Sequence, residues 1–79
     1  MKKIEIGAIY KHYKGTKVKV LGEAIHSETM ESMVIYIHLE DGAVWVRPKK
    51  MFLESIIIKG KKIERFQKIK QEILIKPKK

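Results

Sequence analysis

Residues 16–21, TKVKVL, alternate Val18 and Val20 on one side with Lys17 and Lys19 on the other. A period of two is the signature of a strand with one buried face. The pattern continues to Ile25, with a bend expected at Gly22. Upstream, GAIYKHYKG reads as a short strand closed by Gly15, so the opening of the chain predicts a β-hairpin or meander.

The strongest local signal is MVIYIHLEDGAVWVRP, where Asp41-Gly42 separates two apolar runs. Asp-Gly is a favoured pair for a two-residue type I′ turn. That turn would set Leu39 opposite Val44, His38 opposite Trp45, Ile37 opposite Val46 and Tyr36 opposite Arg47. Alternation then gathers Ile37, Leu39, Val44 and Val46 on one face and Tyr36, His38, Trp45 and Arg47 on the other. A one-residue slip would scramble the split.

Pro48 ends this strand, and PKKMFLES predicts a single helical turn that offers Met51, Phe52 and Leu53 to the core. ESIIIKGKKIERF predicts a short hairpin turning at Lys59-Gly60. From Phe66 onward, the spacing of Phe66, Ile69 and Ile73 fits a helix face, while EILI fits a strand equally well. Four to six short strands and one helical turn favour a mainly β fold, a small SH3-like twisted barrel over residues 1–66. Closure would hide sheet edges. Residues 67–79 form a basic C-terminal extension with a C-terminal helix as one option.

The length of 79 residues allows one domain, which buries roughly 60% of its unfolded surface. With no cysteine, disulfides, thiolate metal sites and thiol nucleophiles are excluded. The longest apolar run, residues 33–37, is far too short to span a bilayer, and the N-terminus lacks a signal-peptide stretch, so a cytoplasmic protein is expected. The net charge is +9, but residues 1–58 contribute +2 and residues 59–79 contribute +7. An anionic partner and a merely solvated tail both fit that distribution.

In order, HYKG (12–15), VLGEAIHSETMES (20–32), VIY (34–36) and WVRPKKMF (45–52) resemble the small bacterial and phage family catalogued as domain of unknown function 1653. The resemblance spans about residues 7–66. Two positions depart from the family pattern: Val18 stands where an aromatic residue is frequent, and the turn at Asp41-Gly42 is shorter than the common Gly-Asp-Gly-Gly form. The resemblance marks residues without assigning them an activity.

Adjacent His26, Ser27 and Glu28 suggest a catalytic triplet only on paper. In an extended segment neighbours point to opposite sides, and no strand-turn-helix elbow surrounds the serine. Ser27 and Thr29 are better suited to shaping a loop through backbone hydrogen bonds. His12, His26 and His38 match no compact metal spacing, and no glycine-rich phosphate loop is present. Neither a metal nor a cofactor is expected.

The aromatic and cationic face is the sharper candidate. Tyr36 and Trp45 offer stacking surfaces, and the Arg47 guanidinium offers a planar fork for phosphate or carboxylate. His12, Tyr13 and Lys14 of HYKG and His26 and Glu28 of HSET are expected beside them. The alternative is that Tyr36 and Trp45 pack structurally, with Arg47 paired to Glu28 or Glu54. The expectation is therefore a non-enzymatic module that holds, and in a phage would sequester, a small anionic, nucleotide-like ligand. RNA or DNA binding by the same surface, aided by the basic stretch from Lys59 to Lys79, is the runner-up. A protein-interaction module is third. Self-association is compatible with all three.

Overall fold

The computed structural model describes residues 3–69. Strands β1 (Ile9–His12), β2 (Lys17–Ile25), β3 (Ser32–His38) and β4 (Val44–Pro48) run antiparallel in sequence order. A helical turn, α1 (Lys49–Phe52), leads to the hairpin of β5 (Ser55–Ile58) and β6 (Lys61–Glu64), and β7 (Phe66–Lys68) returns to pair with β1. The main sheet has the order β4-β3-β2-β1-β7, with the β5-β6 hairpin as a separate small sheet.

The mainly β expectation holds, but the sheet is not closed into an SH3-like barrel. Its edge strands, β4 and β7, do not pair with each other. The option of a helix starting at Phe66 is also overturned. Phe66, Gln67 and Lys68 pair with His12, Lys11 and Tyr10 of β1, so the fold runs past residue 66. The rest of that option, at Ile73, lies outside the described residues.

Local chemistry explains most of the elements. Val18 and Val20 are fully buried while Lys17 and Lys19 are exposed, as their alternation requires. The register of β2 shifts between Val20 and Gly22, which is the expected bend in the form of a bulge. Lys59 and Gly60 both have positive φ (50° and 79°) between the paired Ile58 and Lys61, giving the two-residue primed turn that suits the strand twist. Pro48, at φ −56° and ψ 136°, ends β4 and starts α1.

The turn between β3 and β4 corrects the predicted register. Ile37 pairs with Val44 and Tyr36 with Trp45, two residues away from the expected partners. The Leu39 N–H is drawn instead to the Lys17 carbonyl of β2, at 3.1 Å. Residues 39–42 become the loop, in which the Asp41 carboxylate accepts the Ala43 N–H at 3.0 Å. A shift of two preserves side-chain direction, so Tyr36, His38, Trp45 and Arg47 still share a face.

That face is the inner one. The core consists of Ala8, Tyr10, Val18, Val20, Val34, Tyr36, Phe52 and Phe66, with Ile4 and Leu53 packed against it. Phe52 and Phe66 stack nearly parallel at 4.1 Å, and Tyr36 meets both edge-on. Of the three residues expected to plug the core from α1, Phe52 is buried, Leu53 is half-buried and Met51 is exposed. A four-residue helical turn has one inward position, and Phe52 occupies it.

Candidate ligand-binding site

At the end of the aromatic core, the inner face of the sheet opens into a pocket of about 240 Å³. Its floor is Val18, Tyr36 and Phe66; its walls are His12, Lys14 and Thr16 on one side and His38, Trp45 and Arg47 on the other. Among the described residues no carboxylate lines it.

Tyr36 is 2% exposed and so belongs to the core, contributing its hydroxyl to the site. That oxygen accepts a hydrogen bond from Arg47 Nε at 3.3 Å. The Arg47 guanidinium lies 5.6 Å from the Phe66 ring centroid, a cation–π distance. The bond and the ring hold the fork in place while leaving its terminal nitrogens for another acceptor. The expected structural pairing of Arg47 with Glu28 or Glu54 does not occur: Glu54 pairs with Arg65 at 3.7 Å.

His38 is sandwiched between Tyr36 and Trp45, with centroid separations of 5.9 and 5.4 Å and planes within about 22°. The stack ends at Trp45, which is 52% exposed. A stack of this kind presents a flat ring face to solvent beside the pocket.

His12 is the opposite wall. Its Nδ1 accepts the Lys14 N–H at 3.2 Å, and its ring packs on Tyr13 and Phe66. A ring whose Nδ1 is an acceptor carries its proton on Nε2. Burial, and then the positive charge of Arg47, Arg65, Lys14 and His38, holds the His12 pKa below its ordinary value. Several cations thus converge on one small volume. Arg65, outside the pocket lining and paired with Glu54, has a buried Nε with no acceptor among the described residues.

The structure separates the two loops that the sequence places together. His12, Lys14, Tyr36, Trp45 and Arg47 converge on the pocket, and Tyr13 flanks it through its contact with His12. His26 and Glu28 sit at the far end of β2, where Ile25 pairs with Ser32. There His26 Nδ1 accepts the N–H groups of Glu28 and Thr29 at 3.1 and 3.3 Å, so His26 caps its own turn. Thr29 Oγ1 accepts the Glu31 N–H at 3.2 Å. His26 and Ser27 line a shallow hollow on the outer face together with Ile25, Ile35, Val44 and Trp45. Among the described residues no cluster of three metal-ligating side chains occurs, and no helix is long and apolar enough to cross a membrane.

Thr16 and Phe66 are lining residues that sequence reading missed. Phe66 enters only through the β1-β7 pairing, which joins the two ends of the fold. Thr16 follows HYKG directly, and its carbonyl accepts the His12 N–H at 2.7 Å, a closure that Gly15 (φ 107°) makes available.

A family profile described as "Protein of unknown function (DUF1653)" matches residues 8–68. The chain belongs to that family. It is similar to the crystal structure of a family protein from Bordetella bronchiseptica, with 29% identity and a TM-score of 0.75. That similarity covers 87% of this chain and 91% of the other. No curated protein matches the sequence. The family description carries no activity, so the functional argument rests on the pocket.

Proposed function

We propose that the protein is a non-enzymatic binding module for a small anionic ligand that also carries a planar ring, most simply a nucleotide. The observation behind this reading is the pairing of a carboxylate-free cationic pocket with an exposed aromatic stack at its mouth. Arg47, Lys14 and the His12 Nε2–H would take the anionic group, and the ring would lie against Trp45. Like charges gathered without an acidic partner favour an anion, because each contact relieves their mutual repulsion.

The volume sets a limit. About 240 Å³ is below the ~300 Å³ at which pockets for whole small molecules begin. One anionic group or one ring fits inside, with the remainder of the ligand at the surface. This is also why a single-stranded nucleic acid is the second reading: a base stacked on Trp45 would leave its chain outside the pocket.

The test begins with purified protein, denatured so that its supernatant can be examined by absorbance and mass spectrometry. A thermal-shift panel of mononucleotides, cyclic nucleotides and short oligonucleotides follows. A released or stabilising mononucleotide whose effect disappears in Arg47→Ala supports the leading reading. Stabilisation by oligonucleotides alone, lost on removing residues 70–79 and reduced steeply by salt, supports the second. No response to any member of the panel overturns both.

A further inference from the structure

β4 is one edge of the main sheet, and nothing pairs with its outer side among the described residues. The His38 N–H donates to the Ala43 carbonyl at 2.8 Å, making these residues a hydrogen-bonded pair. Such pairs alternate along an antiparallel ladder, so Trp45 and Arg47 also turn their amides towards β3, while Val44 and Val46 turn theirs outward. Edge strands are ordinarily protected by lysine, by proline or by a bulge. The opposite edge, β7, has Lys68, which pairs with Glu5. The stretch from Val44 to Val46 has no such device, and both valines are more than half exposed.

The flanking charges indicate what this edge fits. Exposed Glu40 and Asp41 precede β4, and Lys49 and Lys50 follow it. Antiparallel pairing of β4 with itself about a two-fold axis at Trp45 sets Val44 opposite Val46 of a second copy. It also turns the acidic pair of each copy towards the exposed Lys50 of the other, Lys49 being paired with Glu23 at 3.0 Å. Proline does not obstruct this register, because the outward N–H groups it uses belong to Val44 and Val46. A peptide of arbitrary sequence has no such charge match built in.

We infer that β4 is a self-association edge, through which two copies join their five-stranded sheets into one continuous sheet. The inference stands apart from the ligand reading, although Trp45 is at the pocket mouth and would meet its counterpart across the axis. One short strand pair buries less than the ~1,200 Å² of a standard stable interface, so the dimer dissociates on dilution.

Sedimentation velocity of the full chain from micromolar to millimolar concentration tests it, alongside hydrogen exchange of the Val44 and Val46 amides. A concentration-dependent dimer with both amides protected only at high concentration is expected. Val46→Pro removes one outward donor at an edge position that tolerates proline, and should weaken the dimer about tenfold or more. Glu40→Lys and Lys50→Glu should each weaken it, and the double exchange should restore it. A monomer at every concentration overturns the inference, as does a dimer indifferent to Val46→Pro. So does protection of the two amides in the monomer that is lost when residues 70–79 are removed, because the chain's own terminus would then occupy the edge. Failure of the double exchange to restore the dimer overturns the two-fold register.

Discussion

His12 and His26 perform the same local task in different surroundings. Each begins a tight turn, and each accepts at Nδ1 the N–H of the residue two positions on. The HYKG turn is joined to the residue before β7 through the Tyr13 N–H and the Arg65 carbonyl at 2.9 Å, and its histidine rests on Phe66. The HSET turn projects beyond the β2-β3 pairing, with His26, Glu28 and Thr29 all exposed. A histidine that caps a turn acquires a second face for chemistry only when the turn is packed against something. The contrast is between one turn that is packed against the aromatic core and another that projects beyond the sheet.

The largest expected effect comes from removing what the HYKG turn rests on. Phe66→Ala should destabilise the fold by about 3–5 kcal/mol in chemical denaturation, since it leaves a hole beside Phe52 and Tyr36. A cost near that of a surface substitution would mean that the His12 turn is as unsupported as the His26 turn. Next is Arg47→Ala, which should reduce affinity for a mononucleotide roughly 10–100-fold in calorimetry with little change in melting temperature. His26→Ala should cost about 1 kcal/mol of stability through the lost cap and leave ligand affinity unchanged. A loss of affinity would return HSET to the site.

His12 also carries a pH dependence. His12 is held below its ordinary pKa of 6.5 by burial first and then by Arg47, Arg65, Lys14 and His38. The unfolded chain therefore binds the proton more readily, so the contribution of His12 to stability is complete above pH 6.5 and declines as the pH falls below it. His12→Asn should flatten denaturation midpoints measured from pH 7 down to pH 5. The smallest effect is at Met30, an exposed residue with φ 63°. Met30→Gly should change stability by less than about 1 kcal/mol, in the stabilising direction, by relieving a left-handed conformation.

Features governed by adjacent residues were legible in the sequence. Alternation in β2, the Lys59-Gly60 turn and the stop at Pro48 all follow from chemistry within a few positions. The β3-β4 register was misread because Leu39 had a competing partner in β2, which no local pattern contains. The faces survived the error because the slip was even. For the same reason Tyr36, Trp45 and Arg47 are legible together, while Phe66, which arrives from the other end of the chain, is not. HSET is ambiguous in sequence because polar, chemically versatile residues are also good loop builders.

Trp45 is the single indole in the chain. It ends the ring stack, 5.4 Å from His38, beside the pocket. The protein's tryptophan emission therefore originates at one point, and that point is the mouth of the candidate site. A base arriving on that surface would quench it and a strand pairing there would shift its wavelength, so the molecule carries an optical sensor at the position where both events would occur.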